Sequence, residues 1–260
     1  MAAFNAEKTV ARAIDSMLMQ TEPDFEFIIV DDASYDRTAS ILHRYSQLDK
    51  RIRVLINPVN RGVAYSLNRA IREVRAPFVA RMDADDISLP DRLARQIDHL
   101  TKHPYIDVLG TGTELMNEHG QRIGSVSLPL DHERIVNQRY LRPLFIQPSV
   151  MFRRTFFDRC GYYDERLRRT EDLDLWLRAR NMARYGNLPD HLLRYTYRPK
   201  PVFRTFRSDM IVRFRHMYTS GEIVRKGHEL ILYSLRFVLL NYTSYTSKAL
   251  RVTNVAGTAS

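Results

Sequence analysis

Two hydrophobic rhythms alternate along the first hundred residues. After Asn5, a candidate N-cap, "AEKTVARAIDSMLMQ" sets Val10, Ile14, Met17 and Leu18 at helical spacing. "FEFIIVDDAS" then runs Phe27, Ile28, Ile29 and Val30 without a polar break, as a strand buried on both faces would, and ends in Asp31 and Asp32. The helical stripe returns in "TASILHRYSQL" through Ile41, Leu42, Tyr45 and Leu48. "RIRVLINP" reads as a strand, and "AYSLNRAIREV" aligns Ala64, Leu67, Ile71 and Val74 on one helical face. "APFVARM" predicts a further strand, and "PDRLARQIDHL" a helix on Leu93, Ile97 and Leu100. Alternating strands and helices predict an open α/β sheet, in which ligands sit beyond the carboxyl ends of the strands.

Beyond Asp107 the pattern becomes mixed. "DVLGTGTELMNEHGQRIG" predicts a hairpin around "NEHG", and "PLFIQPSVMFRRTFF" a strand leading into a helix. "RRTEDLDLWLRAR" places Glu171 and Asp172 at the start of a helix that continues through Leu173, Trp176 and Leu177; carboxylates there also favour the helix dipole.

The strand of "FVARMDADDISLP" stops abruptly in Asp83, Asp85 and Asp86, three carboxylates within four residues. Like charges this close repel unless something positive lies between them. A divalent cation is one answer, and a turn with a helix N-terminus is another, since Pro90 suits a first helical position and Ser88 or Asp91 its first turn. Asp31 and Asp32 end a second strand on the same predicted edge, a convergence that capping does not explain. In extended chain Asp83 and Asp85 share a face and Asp86 points away unless the strand has already ended, so the pair that touches a cation stays open.

Composition narrows the class. The chain has 260 residues, 44% of them hydrophobic, enough for a substantial core. Cys160 is the only cysteine, which excludes an intrachain disulfide and a cysteine zinc site and fits a reducing compartment. The formal charge of +10 is uneven: from Arg198 onward 11 Lys and Arg stand against 3 Asp and Glu. The longest apolar stretch of this tail, "LILYSLRFVLL", is broken by Ser234 and Arg236 and is far shorter than the about 20 residues of a membrane span. "MAAFNAEKTV" has no secretory pattern, and the chain shows no repeat or low-complexity tract. The Pro and Arg cluster "YRPKPVFR", Tyr197 to Arg204, marks a boundary.

"AAFNAEKTVARAIDSMLMQT", "FIIVDDASYDRTASIL", "NRGVAYSLNRAI", "ARMDADDISLPDRLARQ", "PSVMFRR" and "EDLDLWLR" resemble, in order and spacing, the family 2 glycosyltransferases, and more narrowly the bacterial enzymes of capsular and extracellular polysaccharide synthesis. The resemblance runs from Met1 to about Tyr197. It implies a GT-A fold, with a Rossmann-like, mostly parallel sheet and helices on both faces. The catalytic domain would occupy 1–197, its donor half about 1–106 and its acceptor half about 107–197, followed by a basic helical extension over 198–260. The implied activity is inverting transfer from a nucleotide sugar, usually UDP-linked, to a saccharide or polyprenyl-linked acceptor, with Mn²⁺ or Mg²⁺. The implied location is cytoplasmic, extending to the inner face of the membrane.

Residue by residue, the resemblance lays Phe4 against the base and gives Asp32 the uracil contacts, with Asn5 and Glu7 beside them in the donor loop. Asp83 and Asp85 would serve the ribose or metal, and Asp85 and Asp86 the cation. Asp172 would be the catalytic base, while Arg61, and Arg153 or Arg154, would neutralise phosphate. The wider family often has a histidine in a "YRxH" pattern; the match here, "YTYRP", has Arg198, which leaves diphosphate and water to complete the metal shell.

The chemistry fits these residue types. Breaking a sugar–diphosphate bond builds negative charge that a divalent cation on hard oxygen ligands stabilises, and a carboxylate must take the proton of the attacking hydroxyl. Three rival functions are weighed. A nucleic-acid-binding protein would explain the charge, but no binding module is visible. A glycoside hydrolase needs two carboxylates but no nucleotide. A catalytically impaired, truncated GT-A protein would lose the base, whereas Asp172 is present.

Other residues read as structural. Trp176, Met17 and Met19 are expected in the core, with Trp176 also a candidate wall of the acceptor pocket. His99, His103, His119 and His132 are expected at the surface without metal pairing, and "NRGVAYSLN" as a turn and helix cap. Residues 206–251 are expected to form basic amphipathic helices that either dock on anionic lipid or pack on the catalytic domain. The loop "AAFNAE" follows the first strand in the family, so that strand is expected to be missing here, with about five to eight mostly apolar residues ahead of Met1 in the working enzyme.

Overall fold

The computed structural model describes residues 1–198, 202–235 and 237. Three strands, β1 (Ala2–Ala3), β2 (Phe27–Asp31) and β3 (Ile52–Ile56), pair in parallel in that order. Every residue of β2 is buried, as its unbroken apolar run requires. The helices α1 (Val10–Leu18), α2 (Thr38–Leu48) and α3 (Val63–Arg72) connect and cover these strands. Asn5 does not cap α1: the helix begins after Thr9, and Asn5 adopts a left-handed backbone with φ 48°. The donors ahead of α1 are met from across the loop instead, Ala6 N by Thr38 Oγ1 at 2.7 Å and Glu7 N by Asp36 Oδ2 at 3.1 Å.

A second, six-stranded sheet carries the rest of the chain. Its strands are β4 (Phe78–Ala80), β5 (Ile87–Ser88), β6 (Val108–Met116), β7 (Arg122–Val126), β8 (Met151–Arg153) and β9 (Tyr185–Thr196), and the order is β4-β8-β6-β9-β5 with β7 on β6. Only β6 and β9 pair in parallel. The helices are α4 (Arg92–Lys102), α5 (His132–Asn137), α6 (Thr155–Cys160) and α7 (Glu171–Ala179). Among the described strands, parallel pairing is found in the first sheet and in the central pair of β6 and β9; β6 and β7 form a hairpin, whereas the chain passes from β7 to β8 through α5 and from β8 to β9 through α6 and α7. The expected hairpin is present, closed by Asn117 N to Gln121 O at 2.9 Å.

A shared core that includes Ile29, Ile52, Leu109, Met151 and Leu193 packs the two sheets together, and a bridge at Ala2 links them, pairing with Val30 on one side and Asp83 on the other. Below it, between β2 and β4, lies an apolar cleft of about 660 Å³, lined among others by Met1, Met17, Phe27, Phe78, Ile97 and Met151. The Met1 amino group donates to Ile28 O at 2.8 Å, and burial lowers its pKa to about 5. The strand itself, β1, is the two residues Ala2–Ala3.

The core confirms Trp176 as packing: it is 2% exposed, with its ring stacked 5.4 Å from Phe152. Met17 is buried as expected, but Met19, one step past the end of α1, is 65% exposed. His99 and His103 stack on one another at 4.2 Å, both half-buried, and only the three aspartates form a metal-competent cluster among the described residues.

The helix α8 (Val202–Thr219) and a second helical stretch, 223–235, pack on the preceding α/β body and bury Val212, Met217 and Leu230 in its core. Asp174 of α7 fixes this contact by accepting from Arg178, Arg215 and His216, and Glu222 by pairing with Arg139 and Arg180. Ile211, Phe214, Tyr218, Val224, Ile231, Leu232 and Leu235 face outward. Most of the remainder of the expected 206–251 helical region lies outside the described residues. No described helix is long and apolar enough to cross a membrane.

Candidate functional site

The site lies on the carboxyl edge of β1, β2 and β4. A pocket of about 650 Å³ opens there, lined by Phe4, Asn5, Asp32, Gly62, Asp83 and Asp85, with Arg168, Arg169 and Arg198 on its other wall. On the first sheet, Asp32 organises the loop ahead of α3. Its Oδ1 accepts from Asn57 Nδ2 at 2.6 Å and Arg61 N at 2.9 Å, and its Oδ2 from Gly62 N at 2.8 Å. Three donors occupy most of the roughly four lone-pair positions of a carboxylate, so Asp32 is first an anchor of the pocket wall. Gly62 sits at φ 91°, a left-handed conformation that suits glycine as the start of α3. The turn-and-cap reading of "NRGVAYSLN" is what the structure has.

Phe4, 44% exposed, meets Tyr35 edge-on at 5.9 Å. Tyr35, absent from the sequence-based set, stands nearly perpendicular to Phe4, at 82°, so the two rings form an aromatic corner beside the pocket. Asn5 joins this loop through Oδ1, which accepts from Tyr35 N at 3.1 Å. Glu7 turns away from the pocket, its carboxylate held by Arg37 N at 3.2 Å and Nε at 3.1 Å. Those contacts lower its pKa. Arg61 contributes its backbone N–H to Asp32, while its side chain lies over the Tyr65 ring at 4.6 Å. Arg153 faces the far end of the molecule: its guanidinium binds the carbonyls of Leu100, His103 and Ile106 at the end of α4. Arg154 starts α6 beside Pro77, at the amino end of β4. Neither lines the pocket, because β8 runs antiparallel to β4 and carries "RR" to the opposite sheet edge.

On the second sheet, β4 has ended by Asp83 and the chain turns through Ala84 and Asp85. The turn solves the alternation problem: carboxylate oxygens of Asp83, Asp85 and Asp86 all lie within 4.8 Å of one another. Asp83 and Asp85 line the pocket, whereas Asp86 is fully buried behind them. Asp86 Oδ1 accepts from Thr196 N at 2.8 Å, and its Oδ2 is buried with no hydrogen-bond partner. Burial and the neighbouring Asp83 charge push the Asp86 pKa up to about 8 and raise that of Asp85. An orphaned carboxylate oxygen within a crowded set of hard oxygens fits a divalent cation. Buried Arg81 pairs with Asp83 and supplies part of the compensation.

The helix α7 brings the second acidic cluster to the same place. Thr170 precedes it in a left-handed conformation, φ 60°, a strained choice for a β-branched residue. Glu171 is 6% exposed and Asp172 half-buried, so Asp172 is the more accessible of the two. Burial first, then the Asp172 charge, raises the Glu171 pKa to about 7, and Arg81 and Asp83 also act on it. The clusters at 83–86 and 171–172 are therefore electrostatic neighbours although their leading members, Asp83 in "MDADD" and Glu171 in "TEDLD", are 88 positions apart in the sequence.

Comparison with known proteins gives the class. The family model "Glycosyl transferase family 2" matches residues 1–161. The putative glycosyltransferase EpsE of Bacillus subtilis (strain 168) is 36% identical over 181 residues, 68% of this chain and 64% of EpsE. The O-antigen biosynthesis glycosyltransferase WbnJ of Escherichia coli is 33% identical over 203 residues, 75% of this chain and 77% of WbnJ. Among solved structures, S. aureus TarS 1-349 in complex with UDP-GlcNAc superposes with a TM-score of 0.66 at 21% identity, covering 89% of this chain and 69% of that one. The mannosyltransferase PcManGT from Pyrobaculum calidifontis, in complex with GDP-Man and Mn²⁺, gives a TM-score of 0.66 at 17% identity over 98% of this chain and 78% of that one. The architecture is a GT-A fold with a helical C-terminal extension. The chain belongs to glycosyl transferase family 2.

Proposed function

We propose that the protein is a metal-dependent, inverting glycosyltransferase that moves a sugar from a UDP-linked donor to a saccharide or polyprenyl-linked acceptor in bacterial surface or extracellular polysaccharide synthesis. The observation that carries this reading is the Asp83/Asp85/Asp86 cluster at the pocket, with the first turn of α7 near enough for Asp83 and Arg81 to act on Glu171. The O-antigen biosynthesis glycosyltransferase WbnJ and the amylovoran biosynthesis glycosyltransferase AmsE support the polysaccharide assignment, and UDP-GlcNAc bound to TarS supports a uridine donor.

Phe4 and Tyr35 offer stacking surface to the base, and the Asp32 loop frames its edge. Asp83 and Asp85 at the pocket, with Asp86 behind them, would hold Mn²⁺ or Mg²⁺. The cation supplies charge stabilisation to the departing diphosphate. Asp172 takes the proton of the acceptor hydroxyl; that oxygen attacks the anomeric carbon from the face opposite the diphosphate, whose oxygen leaves with the bonding electron pair. A single displacement inverts the carbon. The outward apolar face of α8 and 223–235, in a tail rich in cations, suits peripheral contact with anionic lipid at the cytoplasmic side of a membrane.

The test is product analysis with a panel of nucleotide sugars and lipid-linked acceptors, with Mn²⁺ or with EDTA. Mn²⁺-dependent transfer with an inverted anomeric configuration is expected. Transfer with retention would remove the single-displacement reading. Failure to bind any nucleotide sugar would remove the enzyme reading and leave the impaired, truncated GT-A protein.

A further inference from the structure

Arg198 stands two residues beyond β9, and its place is fixed by the strand end. Thr196 N bonds Asp86 Oδ1 and Thr196 Oγ1 donates to Asp85 O, while Tyr197 N donates to Met116 O at 2.8 Å. From this anchor the guanidinium lines the donor pocket, with Nη2 3.5 Å from Asp85 Oδ2 and Nε 3.7 Å from Glu118 Oε1. It is 49% exposed, so both partners hold it loosely, at distances beyond a good charge-assisted hydrogen bond. Arg168 approaches the other wall, its Nη1 3.8 Å from where a side chain on Gly62 would begin.

We propose that Arg198 is a donor-binding residue that exchanges partners. In the empty site it neutralises Asp85, and when donor binds it passes to a phosphoryl oxygen of the diphosphate and leaves Asp85 to the divalent cation. The inference rests on the donor-site reading above. Its physical basis is charge and shape. A planar guanidinium grips phosphate in fork geometry and remains charged at every relevant pH. A carboxylate already paired at 3.5 Å is a placeholder for such an anion rather than a competitor with it. The consequence is a site whose grip on diphosphate survives, weakened, without metal.

The experiment measures binding of UDP and GDP to the full chain by calorimetry, in Mn²⁺ and in EDTA, for the parent, Arg198→Ala and Arg198→Lys, with uridine and guanosine as phosphate-free controls. The parent should retain measurable binding of the preferred diphosphate in EDTA. Arg198→Ala should weaken that binding by about tenfold or more while leaving nucleoside binding unchanged, and Arg198→Lys should recover part of the loss. Thermal melting establishes that the variants are folded, which the exposed position favours. Equal or tighter binding of the diphosphate to Arg198→Ala in EDTA overturns the proposal, as does a parent that binds only with Mn²⁺. A parent that binds neither nucleotide even in Mn²⁺ overturns the donor reading itself, a result distinct from the other two.

Discussion

Glu171 is the carboxylate whose removal should strengthen the fold. It is 6% exposed, and burial together with the adjacent Asp172 charge raises its pKa from the ordinary 4.5 to about 7. The folded state therefore holds this proton more tightly than the unfolded chain does. Its contribution is intact below about pH 4.5 and is lost as pH rises through about 7. The gap between those two values corresponds to about 3 kcal/mol at pH 8 and less than about 1 kcal/mol at pH 5. Glu171→Gln keeps the shape and removes the charge. In metal-free buffer the variant should be more stable than the parent by about 3 kcal/mol at pH 8, a rise in melting temperature of about 5–10 °C, and nearly equal to it at pH 5. Chemical and thermal unfolding at both pH values read this directly. A stabilisation of the same size at pH 5 and pH 8, or a loss at pH 8, would refute the account of a buried, repelled charge.

Three further outcomes follow from the site and its surroundings. Asp172→Asn should reduce transfer by about 10²-fold or more while UDP binding in Mn²⁺ stays within a few-fold of the parent; turnover at the parental rate removes the base assignment. Asp85→Asn should weaken UDP binding in Mn²⁺ far more than in EDTA, as titration calorimetry would show, and an equal loss in both would mean that Asp85 does not serve the cation. Liposome flotation at low salt should carry the full chain with anionic but not neutral vesicles, and a chain that stays in solution with both rules out lipid contact through the tail.

Much of the donor site was legible because strand ends announce themselves: an apolar run that stops in "DD" or "DADD" fixes both the strand and the edge where its carboxylates gather. Asp32, Asp83 and Asp85 reach one pocket for that reason. The inward position of Asp86 depends on a turn at Ala84 and Asp85, and its partner Thr196 is 110 residues away, so no local pattern carries it. Arginines misled for a related reason. Arg153 follows an apolar strand much as Asp83 does, but β8 is antiparallel to β4 and its end lies on the wrong edge. Arg168 and Arg198 gave no periodic signal, being loop residues placed by the elements beside them. Tyr35 was readable only as an exposed loop aromatic; its use comes from the 5.9 Å approach to Phe4. Asn5 had the composition of a cap, yet its side chain was claimed by the backbone of the neighbouring loop.

The junction at Ala2 has a geometric meaning. Asp32 belongs to one sheet and Asp83 and Asp85 to the other, so the width of the donor pocket is set by how the two sheets are held to one another. A shared apolar core packs the same two sheets together, with Ile29 and Ile52 from one and Leu109, Met151 and Leu193 from the other. The bridge at Ala2 therefore acts as an index mark: it sets the register between the strand end that carries Asp32 and the one that carries Asp83 and Asp85, and the packed core holds that register.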